Sequence, residues 1–200
     1  KAFFPVEEVI NEFCRCGSPY IGHPNNRLPG IEMNSGSLGH GLPVATGMAL
    51  ACRMDGRKNR IYVVMGDGEL AEGSVWEGAM AAGMYHLSNL CAVVDRNRLQ
   101  ISGNTETVMA QDDVAARFTA FGWNVICVKD GNDSDLLNAA FEEAKAVTEA
   151  PTLILAETVK GYGSTIMENK AEWHHHVPTG DEYTQIVADF MQRKEEALHE

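Results

Sequence analysis

Residues 61–73, IYVVMGDGELAEG, and residues 90–100, LCAVVDRNRLQ, decide how this chain folds. Each opens with an apolar, largely β-branched run and closes in small or polar residues, which is the pattern of a strand buried in a parallel sheet. Gly66, Asp67 and Gly68 close the first run, and Asn97 lies just past the second. Asp67 and Asn97 are therefore expected to emerge beyond the carboxyl ends of two strands, where open α/β sheets bind ligands. Ile61 to Met65, Leu90 to Asp95, Asn124 to Val128 and Leu153 to Ala156 all read as buried strands. Helical spacing covers Leu38 to Met54, Glu72 to Leu87, Asp112 to Phe121 and Asp133 to Thr148. Strands alternating with helices of this length imply right-handed crossovers, hence an α/β, doubly wound, mostly parallel sheet with helices on both faces.

The residue types at the two strand ends suggest a chemistry. Carboxylate, amide and carbonyl oxygens are hard ligands, suited to Mg²⁺ or Ca²⁺, and Mg²⁺ commonly completes its shell with phosphate oxygens and water. Gly66 and Gly68 let the backbone approach an anion closely, and a helix starting near Glu72 aims free N–H groups at the same place. Seen alone, Gly-Asp-Gly is equally an ordinary turn and Asn97 an ordinary strand-end residue. The pairing is more specific, because Gly-Asp-Gly followed about thirty residues later by a strand-ending Asn is the thiamine diphosphate motif.

Totals bound the alternatives. A chain of 200 residues favours one domain with a real core. Its 44% hydrophobic and 22% charged residues, without a membrane-length apolar run, read as a globular protein. A formal net charge of -12 argues against a nucleic-acid partner, since such binders neutralise phosphates with Lys and Arg. A bound diphosphate would instead rely on metal, helix dipole and backbone amides. Cysteines at 14, 16, 52, 91 and 127 are odd in number and include no C-x-x-C pair, which disfavours a disulfide framework or structural zinc and points to a reducing, cytoplasmic setting. The chain starts at Lys1 without signal-peptide features, so upstream sequence is expected to be missing. Residues 17–41 and 158–180 are long, Gly- and Pro-containing loops, and two such loops flanking one sheet suggest a site between them. The tail from Asp181 is helical in period, with Arg193, Lys194, Glu195 and Glu196 read as a solvated face. Met33, Met48, Met54, Met80 and Met84 read as core or interface filler.

Beyond the paired motif, four blocks resemble the N-terminal half of transketolase: G-H-P at 22–24, PGIEMNSGSLGHGLPVATGMALA from 29, GDGELAEGSVWEGAMAAG from 66, and KGYGSTIMENKAEWHH from 160. The resemblance runs from Phe3 to Pro178. It implies that the Asp67 and Asn97 side chains and the Leu99 carbonyl coordinate the metal, Mg²⁺ with Ca²⁺ or Mn²⁺ as alternatives. It also implies that the Gly68 N–H meets the diphosphate, that Gly36, Ser37, Leu38 and Gly39 wrap the thiamine rings, and that Gly66 and Glu69 complete the cofactor set. His23 would face the sugar hydroxyls, and His174 would lie near the diphosphate and the reacting hydroxyls. Glu72 and Glu77 would lie near a dimer interface, with Glu72 in a buried, hydrogen-bonded catalytic role. His175 departs from a glycine common in relatives.

The pyrimidine-binding domain of that family, with the glutamate that protonates the cofactor's aminopyrimidine, has no counterpart in these blocks. Residues 1–200 are therefore expected to be one diphosphate-binding domain, either a subunit of a split enzyme or a fragment of a longer one, that needs a pyrimidine-binding half or partner. The implied assembly is a dimer of halves, a heterotetramer if the enzyme is split. The implied reaction is transfer of a two-carbon ketol unit from a ketose phosphate to an aldose phosphate. Alternatives are a synthase of the 1-deoxyxylulose-5-phosphate type, a 2-oxo acid dehydrogenase component, or a non-catalytic interaction protein. An ordinary nucleotide-binding domain fits less well, because the strand-to-helix turn lacks both G-x-G-x-x-G and a P-loop lysine.

Overall fold

A computed structural model describes residues 3–34 and 36–199. The chain separates into two compact units, Lys1–Leu38 and Gly39–Glu200. The first holds a short helix, α1 (Val6–Glu12), whose first turn carries Glu7 and Glu8, favourably placed against the positive end of the helix dipole. Its other described residues run as turns and loops, with the side chains of Tyr20 and Leu28 buried among them. The Phe4 ring meets Tyr20 edge-on at 5.5 Å. Asn25 and Asn34 side chains accept the Arg27 and Asn26 N–H groups, fixing the loop through local side-chain caps.

The second unit runs α2 (Gly41–Met54), β1 (Ile61–Gly66), a 3₁₀ turn (Gly68–Ala71), α3 (Gly73–Met84) and β2 (Leu90–Arg96). A small hairpin follows, β3 (Leu99–Gln100) and β4 (Gly103–Asn104), leading into α4 (Thr105–Val108) and α5 (Val114–Ala120). The chain continues through β5 (Asn124–Val128), α6 (Ser134–Ala146), β6 (Thr152–Glu157), a 3₁₀ turn (Ala171–His174) and α7 (Gly180–His199). The main sheet has the order β1-β2-β6-β5, and every pairing is parallel. The expected α/β architecture is the observed one. Element ends shift by a few residues for physical reasons. Asp113 and Asp133, expected inside α5 and α6, instead cap them by accepting N–H groups of the first turn.

Two apolar layers hold the sheet. On one face α2, α3 and α5 bury Leu42, Val75, Ala79 and Phe118 against Met65, Val94 and Leu153. On the other, α6 covers β5 and β6 through Ala140, Ala144, Ile126 and Ile154. Contact between α2 and α3 depends on Gly78, because a Cβ there would lie 2.9 Å from the Pro43 nitrogen. In register, Gly66 faces Asp95 and Arg96 faces Glu157, so β1, β2 and β6 end side by side.

Four expectations are corrected. β1 is an edge strand rather than a fully buried one, and Val64 is 72% exposed because the helices packing on β1 cover only its other face. Of the two roles expected for Met33, Met48, Met54, Met80 and Met84, core filler is excluded because all five are exposed on this chain, and the interface role stands. Arg193 is not merely solvated, since its guanidinium lies 4.1 Å over the Tyr162 ring. α1, α4 and the β3–β4 hairpin were not expected, each being too short to show a period. Among the described residues no helix is long and apolar enough to cross a membrane.

Candidate active site

At the carboxyl end of β1 the chain turns sharply, and the Asp67 N–H is given to the Asp95 carbonyl of β2 at 3.1 Å. The Asp67 side chain is only 3% exposed. One oxygen accepts the Gly68 N–H at 2.9 Å and the other accepts the Arg98 N–H at 2.6 Å. Arg98 reaches it because its backbone is left-handed, with φ of 63°, which bends the chain back after β2. Burial pushes the Asp67 carboxyl above its usual range, the two N–H groups pull the other way, and Asp95 adds a further upward push. A carboxylate desolvated beyond what its hydrogen bonds return is one that a cation would stabilise.

Asn97 stands beside it at the end of β2. Its Oδ1 accepts the Leu99 N–H at 3.0 Å, and its Nδ2 donates to Asp95 Oδ1 at 3.1 Å. The Thr158 hydroxyl, just beyond β6, donates to that same Asp95 oxygen. Asp95 thus ties together the ends of β2 and β6 and orients the Asn97 amide. It was not singled out from sequence, where it reads as the last residue of a strand. Arg96 and Arg98 both pair with Glu157, at 3.4 and 2.9 Å, and this outer ring of charge was likewise missed.

A second cluster forms where the chain enters α2 and α3. Gly39 is buried with φ of +80°, and a Cβ there would lie 2.5 Å from Glu72 Cβ and 2.6 Å from Ser74 Oγ. Its N–H is held by Glu69 Oε1 at 2.8 Å, and its carbonyl accepts the Ser74 hydroxyl at 2.8 Å. Glu69 is therefore the residue that fixes Gly39. Glu72 is the N-cap of α3 with an extended backbone and no side-chain cap bond. On this chain alone its side chain is exposed, as is that of Glu77, which leaves both at the surface where the resemblance puts a subunit interface.

Gly68 is the cradle of the site. A Cβ on it would lie 2.8 Å from Gln100 Cβ and 3.0 Å from Gln100 Oε1. The Gly68 N–H is given to Asp67. The 3₁₀ turn carrying His174 packs against β3, so Leu99 and His174 are brought to one neighbourhood. His174 is held below the usual imidazole range, first by partial desolvation of an otherwise exposed ring and then by Lys160 and His175, all of which favour its neutral form. His175 and His176 do not join it in a metal cluster: among the described residues no three His, Cys, Asp or Glu side chains gather to hold a metal. The expected cation set is of another composition, one carboxylate, one amide and one carbonyl, and the buried Asp67, the Gly68 cradle and a buried, unpartnered Gln100 Oε1 fit a cation with a diphosphate.

Within the first unit, His23 and Gly36 are brought together. A Cβ on Gly36, whose φ is 111°, would lie 2.6 Å from His23 Cδ2. Ser37 and Leu38 are exposed. A glycine at 36 is thus what allows the His23 ring to approach this loop so closely.

These features define a parallel α/β domain whose strand ends present one buried carboxylate, one amide and glycine turns. Residues 4–193 match the family model for the thiamine diphosphate binding domain of transketolase, and the chain belongs to that family. It is 45% identical over 190 residues to an apulose-4-phosphate transketolase subunit of Phocaeicola vulgatus, covering 95% of this chain and 66% of that one. It is 38% identical over 190 residues to a 6-deoxy-6-sulfo-D-fructose transketolase subunit of Clostridium sp., covering 94% and 68%. Transketolase of Pichia stipitis in complex with sedoheptulose 7-phosphate superposes with a TM-score of 0.85 at 34% identity, over 92% of this chain and 29% of that enzyme. The chain therefore spans about two thirds of the length of the subunit relatives.

Proposed function

We propose that this chain is the diphosphate-binding part of a transketolase that works with a separate pyrimidine-binding polypeptide. The observation that carries the reading is the buried Asp67 carboxylate, clasped by two backbone N–H groups beside Asn97 at the ends of adjacent parallel strands. Asp67, Asn97 and the Leu99 carbonyl hold a divalent cation, Mg²⁺ with Ca²⁺ and Mn²⁺ as substitutes. Gly66, Gly68 and Glu69 shape the turn that receives the diphosphate, and Gly36, Ser37, Leu38 and Gly39 line the thiamine rings. When bound, the cofactor supplies the carbon nucleophile for breaking and re-forming the C2–C3 bond of the sugar.

The chain's own residues supply position and charge. His174, neutral at pH 7, exchanges hydrogen bonds with diphosphate and substrate hydroxyls without adding charge. His23 faces the substrate side and stabilises charge that develops during transfer. Glu72 lies at the boundary with the partner. The donor is a ketose with an anionic terminus, in keeping with the sugars in the relatives' names, and the acceptor is an aldose phosphate.

A partner is supported by two observations. The relatives are named as subunits, and Met48, Met54, Met80 and Met84 expose apolar surface on α2 and α3. On this reading residues 1–200 form one diphosphate-binding domain, two copies assemble with two partner chains, and the enzyme works in the cytoplasm.

The test is a coupled assay with a ketose phosphate donor and an aldose phosphate acceptor. The acid that protonates the aminopyrimidine belongs to the partner, so turnover is expected only in the mixture. Full turnover by this chain alone would sink the split-site reading.

A further inference from the structure

Gln100 sits in a place that packing alone does not explain. It lies on β3, a two-residue strand paired antiparallel with β4, with Gln100 opposite Gly103. The hairpin is anchored at its base, because the Thr105 N–H donates to the Arg98 carbonyl at 3.0 Å while the Arg98 N–H holds Asp67. Gln100 is thereby carried across the Gly68 turn, with its Cβ and Oε1 lying 2.8 and 3.0 Å from where a Gly68 Cβ would stand. Only glycine at 68 admits it. β3 also packs near the 3₁₀ turn of His174, so the hairpin that carries Gln100 adjoins a second segment assigned to the diphosphate.

Its polar end is the unusual feature. Gln100 Oε1 is buried, and it has no hydrogen-bond partner in the protein. Buried polar atoms are nearly always paired, so an unpaired one beside a ligand turn points to a ligand group as its partner. The neighbouring acceptors are already committed: Asp67 takes the Gly68 and Arg98 N–H groups, and Asn97 Oδ1 takes that of Leu99. Those oxygens are assigned to the cation itself, and the Gln100 amide oxygen is an acceptor beside the same turn that no protein donor occupies.

We infer that Gln100 is a further cofactor-site residue, whose amide oxygen accepts a hydrogen bond from water on the divalent cation that carries the diphosphate. The inference rests on the functional reading above. Gln100 acts through that water and is a positioning residue. Such outer partners orient what holds a metal and tune its affinity.

The test is calorimetric titration of thiamine diphosphate in Mg²⁺ into the full-length polypeptide assembled with its pyrimidine-binding partner. Gln100→Met, similar in length but without the amide, should bind about tenfold or more weakly, while Gln100→Glu, which keeps the acceptor, should stay within about threefold of wild type. The melting temperature of Gln100→Met without cofactor should equal or exceed that of wild type, a readout that a merely structural glutamine would lower. Wild-type affinity in Gln100→Met, or equal losses in both variants, would overturn the inference. Should Gln100→Met not fold, Gln100→Glu decides alone: retained affinity supports the acceptor and a loss of about tenfold overturns it. Failure of the wild type itself to bind would strike the functional reading instead.

Discussion

The two ends of the main sheet carry opposite chemistry. At the amino end, the C-termini of α2, α3 and α6 converge, and Arg53, Arg57, Lys58, Arg60 and Lys145 surround a cavity of about 220 Å³. In an acidic chain this basic cluster invites reading as a phosphate site, yet Arg53 and the terminal nitrogens of Arg60 already serve helix-end carbonyls, while the Arg60 Nε is buried without a partner. Arg53 donates to the Tyr85 carbonyl, and Arg60 donates to the Ala144 carbonyl at 2.8 Å. These are the orphan carbonyls of helix ends, with the negative pole of the dipole behind them. At the carboxyl end the signs reverse: a carboxylate is buried, N–H groups are clasped around it, and an amide oxygen is left over. Cations spent on helix ends report stability, whereas a desolvated carboxylate at a strand end reports a ligand.

Substitutions at the two ends should therefore separate cleanly. Asp67→Ala removes the charged cation ligand, and metal-dependent thiamine diphosphate affinity in the assembled protein should fall by more than about 100-fold. Thermal shift with and without Mg²⁺ would show it, and an unchanged shift would break the distinction. Gly39→Ala comes next, because a left-handed φ costs about 1–2 kcal/mol for a residue with a Cβ, before the contact with Glu72 is counted. Both melting temperature and cofactor affinity should drop, since Gly39 is tied to Glu69 and Ser74. A drop in stability with affinity intact would remove Gly39 from the site.

At the opposite end, Arg60→Ala should lower stability by about 1–2 kcal/mol through loss of the helix-end bonds, and leave cofactor affinity unchanged. Denaturant titration beside calorimetry would check this. Weakened binding of the cofactor or of inorganic phosphate would mean that the basic end has a ligand role after all.

The smallest effect concerns pH. His174 has its folded-state pKa below its ordinary value of 6.5, so the unfolded chain binds more protons as pH falls past that point. This group's contribution is present above pH 6.5 and is lost as pH falls toward the folded value. His174→Asn should flatten the stability profile slightly in that acidic window, and a slope identical to wild type would show that the histidine is not held neutral.

How legible this was in sequence differs between the same two ends. Asp67 and Asn97 stood out because the apolar runs before them set strand ends, and glycines mark the turn. Strands were read to within about a residue, since β-branched runs have a clear length. Gln100 and Asp95 could not be found, because their meaning comes from contacts across β1, β2 and a short hairpin with no period of its own. The exposed face of β1 was unreadable as well, since an apolar run does not say whether it lies at an edge.

The central claim is that thiamine diphosphate is held through a metal at the carboxyl end of β1 and β2. Titrating the cofactor into the assembled wild-type protein, once in Mg²⁺ and once after removal of divalent ions with a chelator, tests it most directly. Saturable binding is expected in Mg²⁺, and at least about 100-fold weaker binding without it. Equal affinity in the two conditions would contradict it.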